Sequence, residues 1–195
     1  MATNTPDPDP RDGGDFDYTG GETDRPELVD ALERRVDGDV RFDDYSKRLY
    51  ATDASAYEVT PIGVVMPEST ADVAAVQEYC FAEGVPVLPR GGGTSLAGQT
   101  VNEAVVLDLT DSMDAVLSTD PDAEEARVQA GAYVGDLNAA VEPHGLKFAP
   151  DPAWRDKSAV GGARSCCGIC PPRFVSSTRP HSCQSPTRSR AGPAS

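Results

Sequence analysis

The chain has 195 residues and a formal net charge of −15, and 38% of its residues are hydrophobic. This acidic excess disfavours nucleic acid and anionic membrane surfaces as partners. No run of about 18 apolar residues occurs, so no integral membrane segment is expected, and the acidic start after Met1 lacks the basic and apolar parts of a signal peptide, which favours a cytoplasmic location.

The first part of the chain divides into two segments by composition. Residues 1–25 are rich in Asp, Pro and Gly, which predicts a disordered acidic tail. Residues 26–57 are predicted to form a helical lead-in, because Leu28, Leu32 and Val36 recur at the spacing of one helix face.

The next segment has the order of a strand–helix–strand unit. An apolar run at 62–66 predicts a strand, and Ser69 is placed to cap a helix that Gly84 would end. Apolar runs at 85–88 and 104–109 predict two further strands. A helix that connects strands in this way is typical of a parallel sheet.

Between the last two strands lies a stretch rich in hydrogen-bond donors. Residues 89–99 have the sequence PRGGGTSLAGQ, in which three successive glycines leave the backbone N–H groups accessible. Such a loop suits a phosphate or pyrophosphate, and the carboxyl end of a strand is where open α/β sheets bind ligands. The stretch matches neither a Walker A loop nor a Rossmann fingerprint. A solvated glycine turn between two strands is the alternative.

Shorter elements follow. They alternate in type: strands at 113–117 and 126–130, a helix that begins at 134 and ends at 144–145, and an extended piece at 146–148. His144 suits a helix end better than a catalytic role, and residues 150–152 form a rigid turn between two prolines. Small residues at 158–162 predict a second loop that could approach the same ligand.

The order and spacing of these segments resemble the FAD-binding domain of the vanillyl-alcohol oxidase and p-cresol methylhydroxylase superfamily. Within it, the chain is most similar to the branch of glycolate oxidase FAD subunits and D-lactate dehydrogenases. The resemblance falls within residues 45–163 and is carried by 63–73, 89–99, 105–109, 130–131, 151–152 and 161–162. It implies an α+β fold, in which a small parallel βαβ subdomain is followed by the start of an antiparallel second subdomain. Residues 58–163 would then form a partial, truncated FAD-binding domain of type 4.

The resemblance also implies a cofactor site. In this family the glycine-rich segment holds the FAD pyrophosphate by main-chain N–H groups, and the Asp-Pro and Gly-Gly segments line the other side of the cofactor. The cofactor-binding residues expected from this are Pro89, Arg90, Gly91, Gly92, Gly93, Thr94, Ser95, Gly98, Gln99, Asp151, Pro152, Gly161 and Gly162. Some relatives bond the flavin covalently to a histidine in this segment. None occurs between Pro89 and Gln99, so FAD is expected to be non-covalent.

The activity implied is the oxidation of a small 2-hydroxy acid such as D-lactate or glycolate. Electrons would pass through the flavin to a partner such as a quinone, a cytochrome or an iron–sulfur protein. In this family the catalytic base and any metal ligands come largely from a later substrate domain, so no catalytic or metal-binding residue is assigned. This chain alone is expected to be a poor or inactive enzyme. A non-catalytic FAD-binding fragment or a pseudogene product is the alternative.

Residues 164–195 differ from the rest of the chain. They contain no Asp, Glu or Lys, and they hold four of the five cysteines. We interpret them as a disordered tail translated out of frame from a GC-rich gene. A zinc site is the alternative, because Cys167, Cys170, His181 and Cys183 could supply four ligands. The one-residue spacing of the second pair, and the lack of a framing strand or helix, disfavour it.

Charge separates the same two parts. All 32 acidic residues and twelve of the 17 basic residues precede Arg164, so the first 163 residues carry a charge of −20 and include all three lysines. Surfaces rich in Asp and poor in Lys are typical of proteins from a salt-loaded cytoplasm, where salt screens self-repulsion. The composition therefore favours a halophilic protein over an ordinary acidic one.

Overall fold

The computed structural model describes residues 25–166 and 174–176. The predictions for residues 1–24 and for the zinc ligands lie outside the described residues. The elements are α1 (Pro26–Glu33), β1 (Asp39–Arg41), α2 (Asp44–Tyr50), β2 (Gly63–Met66), α3 (Thr70–Ala82), β3 (Val87–Arg90), β4 (Val105–Asp108), β5 (Val116–Asp120), β6 (Glu125–Val128), α4 (Val134–Val141), a 3₁₀ turn (Glu142–His144), β7 (Leu146–Phe148), α5 (Val160–Cys166) and β8 (Phe174–Ser176).

The first subdomain is built on a four-stranded sheet with the order β1-β2-β4-β3. Strands β2, β4 and β3 run parallel, as expected, and α3 connects β2 to β3 while β4 fills the place between them. Val64, Val65, Val106 and Leu107 are fully buried, because helices and loops cover both faces of the sheet. The parallel βαβ arrangement expected from the sequence is therefore confirmed.

The lead-in contributes more than helices. Strand β1 pairs antiparallel with β2, with Val40 opposite Val65, although residues 26–57 were expected to be helical. Strand β1 has three residues, of which only Val40 is apolar, so its sequence shows no strand pattern. It forms because it pairs with the edge of β2 that β4 does not occupy. Helix α1 packs Leu28 and Leu32 into the first core, as its spacing predicts.

Local hydrogen bonds fix both ends of α3. The Ser69 hydroxyl accepts a hydrogen bond from the N–H of Asp72, and the Asp72 carboxylate accepts one from the N–H of Glu68. Gly84 follows the helix with a φ of +68°, a conformation that glycine adopts readily. The predicted helix start and stop are confirmed.

The second subdomain is smaller and antiparallel. Strands β5 and β6 form a hairpin, and β7 pairs antiparallel with β8. A separate core lies beneath α4 and consists of Ala132, Val134, Leu137, Val141, Phe148 and Val160. Among residues 25–166 and 174–176, no helix is both long enough and apolar enough to cross a membrane.

Three local predictions were wrong. The third strand covers 87–90 instead of 85–88, because the β4 ladder continues until Arg90 lies opposite Asp108. The hairpin begins at Val116 instead of 113; Val116 lies opposite Val128, the register shifts between Val116 and Ser118, and Asp120 lies opposite Glu125 at the turn.

The third error concerns Gly161 and Gly162, which were expected in a loop. They lie in the first turn of α5, which is held by hydrogen bonds from the N–H of Val160 to Ala132 O and from the N–H of Gly161 to Ala130 O. These tertiary contacts override the low helix propensity of glycine. Helix α5 continues to Cys166, past the change in composition at Arg164.

Candidate cofactor site

The donor-rich stretch lies at the carboxyl edge of the parallel sheet. Pro89 and Arg90 are the last residues of β3, and residues 91–99, here called the glycine loop, connect this edge to the segment that enters β4. Asp108 ends β4 beside them, opposite Arg90 in the register. The loop therefore occupies the position at which parallel sheets bind ligands.

The glycine loop presents a row of backbone donors without protein partners. None of the hydrogen bonds formed among residues 25–166 uses the N–H of Gly91, Gly92, Gly93, Thr94 or Ser95. All five residues are at least partly exposed. Successive N–H groups of this kind form an anion-binding surface, and phosphate oxygens match it in charge and geometry.

The glycine loop packs against a second segment, residues 157–159, here called the docking segment. An ideal Cβ on Gly91 would lie 2.6 Å from the Ala159 Cβ, and one on Gly92 would lie 1.9 Å from the Lys157 carbonyl oxygen. The hydroxyls of Thr94 and Ser158 are 3.2 Å apart. The two segments that the sequence predicted to share a ligand are therefore in contact, and two of the glycines are required by this packing.

Arg90 points beneath the glycine loop and not toward solvent. Its guanidinium donates to the carbonyl oxygens of Tyr50 at 3.0 Å, Thr100 at 3.0 Å and Thr52 at 2.8 Å. Burial lowers the pKa of this group, while Tyr50 and Asp108 act in the opposite direction. The side chain is 9% exposed, so its donors are used inside the protein.

A polar cluster around Asp108 supports the same edge. The Tyr50 hydroxyl donates to one Asp108 carboxylate oxygen at 2.6 Å, and Thr110 donates its N–H and its hydroxyl to the other. Burial, followed by the hydrogen bond to Asp108, raises the pKa of Tyr50, so the phenol stays protonated. Asp108 and Tyr50 lie 58 residues apart, so no local sequence pattern links them.

Asp53 holds the far end of the loop. It accepts hydrogen bonds from the hydroxyl of Thr100 at 2.9 Å and from the N–H of Ser55 at 2.8 Å. Burial raises the pKa of Asp53, but the hydrogen bonds from Ser55 and Thr100 outweigh it, and the net shift is downward. The sequence offered no signal for this role, because Asp53 and Thr100 lie 47 residues apart.

Ser95, Gly98 and Gln99 shape the end of the glycine loop. The Ser95 hydroxyl donates to the Gln99 side-chain oxygen and accepts from the N–H groups of Ala97 and Gln99. Gly98 has a φ of +72°, and an ideal Cβ there would lie 2.6 Å from the ring of Tyr57. The side chains of Ser95 and Gln99 are thus paired with each other in this conformation.

Asp151 and Pro152 form a separate group. The Asp151 carboxylate bonds to Lys147 at 2.8 Å and to Arg155 at 2.6 Å, and these hydrogen bonds lower the pKa of Asp151. No hydrogen bond or ion pair among residues 25–166 joins Asp151 to the glycine loop. Pro152 is partly buried in the same turn.

The two glycines of α5 differ from each other. An ideal Cβ on Gly161 would lie 2.9 Å from the Ala130 carbonyl oxygen, so packing limits this position. Apart from its two chain neighbours and the nearby backbone of α5, no atom of the described residues lies within 4 Å of an ideal Cβ on Gly162, and its φ is not in the left-handed region. Packing therefore accounts for the glycine at 161 but not for the one at 162.

A parallel βαβ sheet with a donor-rich loop at its carboxyl edge, docked on an antiparallel second unit, defines an α+β domain that binds an anionic cofactor. The chain belongs to the family described as FAD binding domain, which matches residues 61–183. This match confirms the expected family, the fold class and FAD as the cofactor. It also extends beyond Ala163, into the segment with the different composition.

Curated relatives agree with this family. The chain is 37% identical over 142 residues to D-2-hydroxyglutarate dehydrogenase from Pseudomonas putida, a match that covers 70% of this chain and 14% of that protein. It is 34% identical over 132 residues to glycolate oxidase subunit GlcD from Bacillus subtilis, which covers 66% of this chain and 28% of that protein. The chain thus spans less than a third of the length of either relative.

A solved structure shows the same fold at lower identity. An alkyldihydroxyacetonephosphate synthase aligns with a TM-score of 0.63 and 21% identity, over 73% of this chain and 29% of that one. At this identity the likeness concerns the fold alone.

Proposed function

We propose that the glycine loop binds the pyrophosphate of FAD through its backbone N–H groups, and that the chain is the FAD-binding part of an oxidoreductase for small 2-hydroxy acids. The observation that carries the proposal is the row of five unpartnered N–H groups from Gly91 to Ser95. The pyrophosphate is the anionic part of FAD, and it would satisfy donors that otherwise bind only water.

Gly162 is proposed to line the other side of the cofactor. It lies in α5, directly after the segment that packs on the glycine loop, and it leaves open space where a side chain would stand. Gly161 continues the same backbone, and the Asp151-Pro152 turn is proposed to border the site through its backbone. The ion pairs of Asp151 with Lys147 and Arg155 hold that turn in shape.

The substrate is proposed to be a 2-hydroxy acid such as D-lactate or glycolate. The names of the relatives support this class, and they add D-2-hydroxyglutarate, which has the same α-hydroxy carboxylate group. FAD, when bound, supplies the electron acceptor for the oxidation of such an alcohol. A partner that accepts the electrons belongs to the same proposal.

A non-catalytic FAD-binding fragment is the second candidate. The match covers 14% of one relative and 28% of the other, so this candidate concerns only this polypeptide. No residue of the described chain is assigned as a catalytic base. We therefore expect FAD binding without turnover from this polypeptide alone.

Titration of the purified chain with FAD and with riboflavin tests the pyrophosphate site. Flavin fluorescence should report binding of FAD at least about tenfold tighter than riboflavin, because riboflavin lacks the phosphates, and one charge-assisted hydrogen bond is worth about that factor. Equal affinities would refute the proposed role of the loop. Precipitation with acid should release all the flavin into the supernatant, as expected for a non-covalent cofactor.

Turnover distinguishes the two candidates. The FAD-loaded chain should not reduce a dye acceptor with D-lactate, glycolate or D-2-hydroxyglutarate, and anaerobic addition of these acids should not bleach the flavin. Substrate-dependent bleaching would show that the chain carries its own catalytic groups and would refute the non-catalytic candidate.

The origin of residues 164–195 and the location of the protein remain proposals as well. The nucleotide sequence tests the first: an uninterrupted FAD-domain sequence in another frame after the Ala163 codon would support out-of-frame translation. Fractionation of the native cells tests the second, with the protein expected in the cytoplasmic fraction.

A further inference from the structure

Arg90 has a position that a cofactor ligand would not have. Residues of a phosphate site direct their charges outward, but the Arg90 guanidinium is buried and bonds to three backbone carbonyls. No carboxylate lies within ion-pair distance of it among residues 25–166. Its charge is balanced by these carbonyl dipoles, by the Tyr50 ring 5.1 Å away and by more distant carboxylates.

The three carbonyls come from two places that determine the shape of the loop. Thr100 immediately follows the glycine loop, so the bond to its carbonyl joins the end of the loop to its beginning at Arg90. Tyr50 and Thr52 belong to the lead-in segment, 40 and 38 residues earlier in the chain. One planar side chain therefore closes the loop and attaches it to the body of the protein.

The glycine loop also rests directly on this side chain. An ideal Cβ on Gly93 would lie 2.6 Å from the Arg90 Nη2 atom, and Gly93 has a φ of +64°. The Gly93 carbonyl in turn accepts a hydrogen bond from the N–H of Ala54, next to the arginine-bonded part of the lead-in. The contacts of Gly93 with the Arg90 guanidinium and with the Ala54 N–H thus fix the backbone of the loop, and with it the direction of the unpartnered N–H groups.

We propose that Arg90 is a positioning residue that holds the glycine loop in its FAD-binding shape without touching the cofactor. This inference rests on the proposed function of the loop. It differs from the sequence-based expectation, which places Arg90 among the cofactor-binding residues. A positioning role makes its effect visible in the protein without FAD, whereas a phosphate ligand would act only when FAD is present.

Hydrogen exchange of the cofactor-free full chain provides the test. In Arg90→Met, the backbone amides of Ala54, Gln99 and Thr100, whose hydrogen bonds hold the loop and its end, should exchange at least about tenfold faster than in the parent, the effect of losing one hydrogen bond to a charged group. Amides of α3 should keep their protection. Arg48→Met is the matched control, because Arg48 is exposed and its side chain makes no hydrogen bond or ion pair among the described residues. This control should leave the loop unchanged.

FAD affinity provides the second measurement. The Kd for FAD should rise by about tenfold or more in Arg90→Met, because the N–H groups must be ordered when the cofactor binds. Arg90→Lys should give a smaller loosening of the loop, since an ammonium can bond to some of the three carbonyls but lacks the planar fork. It also keeps the experiment informative if the methionine variant does not fold.

Two outcomes would overturn the inference. If the amides of Ala54, Gln99 and Thr100 keep their protection in the cofactor-free Arg90→Met protein while FAD affinity falls, Arg90 is a direct ligand. If both are unchanged, the loop keeps its shape without Arg90. Failure of the parent protein to bind FAD would refute the proposed function instead, and the exchange experiment would still test the role of Arg90.

Discussion

Gly92 lies against the carbonyl oxygen of Lys157, with only 1.9 Å between that oxygen and an ideal Cβ on the glycine. This contact joins the parallel subdomain to the docking segment of the second subdomain. Because the clashing atom belongs to the Lys157 backbone, rotation of a side chain cannot remove the clash that a residue larger than glycine would make at position 92. The glycine is thus required by packing within the protein as well as by access for a ligand.

Gly92→Ala should therefore separate the two segments. We expect the free energy of unfolding to fall by about 1–3 kcal/mol, the usual cost of overpacking. Chemical denaturation followed by circular dichroism measures this loss. FAD affinity should fall as well, because the docking segment no longer supports the loop. A variant with unchanged stability would show that the loop and Lys157 are not held together in solution.

Gly162→Ala, unlike Gly92→Ala, should stabilise the fold while it weakens FAD binding. An alanine fits at this helical position without a clash and should raise helix stability by up to about 1 kcal/mol. If the backbone at Gly162 lies beside FAD, the added methyl group should nonetheless raise the Kd for FAD. Parallel measurement of unfolding and FAD titration tests both parts. Unchanged or tighter FAD binding would remove Gly162 from the proposed site.

Asp72 should make stability depend on acid pH. Burial raises the pKa of Asp72, but hydrogen bonds from Glu68 and Ser69 outweigh it and the folded pKa is lowered. The ionised form is therefore favoured by folding. Its contribution is complete above the unfolded pKa of about 3.9 and is lost as the pH falls through the lower folded value.

The variant Asp72→Asn should accordingly be less stable than the parent by about 1–3 kcal/mol at neutral pH, with a smaller difference in more acidic solution. Unfolding curves from pH 7 down to about pH 3 measure the trend. Asp114→Asn is the control, because Asp114 is exposed and makes no side-chain hydrogen bond among residues 25–166. A pH-independent difference for Asp72→Asn would contradict the assigned role of the carboxylate.

Salt should stabilise the protein. The net charge of −15 produces self-repulsion, and raising KCl from about 0.1 M to about 1 M shortens the screening length from about 10 Å to about 3 Å. We expect the thermal unfolding midpoint to rise over this range. Sucrose serves as the comparison, since it stabilises by exclusion without screening charge. A constant or falling midpoint in KCl would contradict the prediction of a halophilic protein.

The sequence was most informative where the determining contacts are local. The Ser69 cap and Gly84 act within four residues of their partners, and the apolar runs of β2 and β4 need only a buried environment. The glycine loop was recognisable for a similar reason, because a short turn between strands rarely needs three successive glycines.

It was least informative where the determining contacts are distant in sequence. The carbonyls that bind Arg90 come from residues 50, 52 and 100, and no local pattern announces them. Gly161 and Gly162 follow the same rule, because the bonds that start α5 come from residues near 130. The glycine-rich motif at 89–99 indicated the residues of the site. Tertiary contacts determined that Arg90 faces the protein interior and not the cofactor side of the loop.

The glycine loop is held from both directions along the chain. Its lead-in anchor at Tyr50 lies 40 residues before Arg90, whereas Ser158 lies 64 residues after Thr94. Contacts of such separation form late in folding, because the chain must first close large loops. On the ribosome the glycine loop would therefore emerge well before the docking segment that packs against it. The FAD-binding shape of the loop would be completed only after the docking segment had been synthesised.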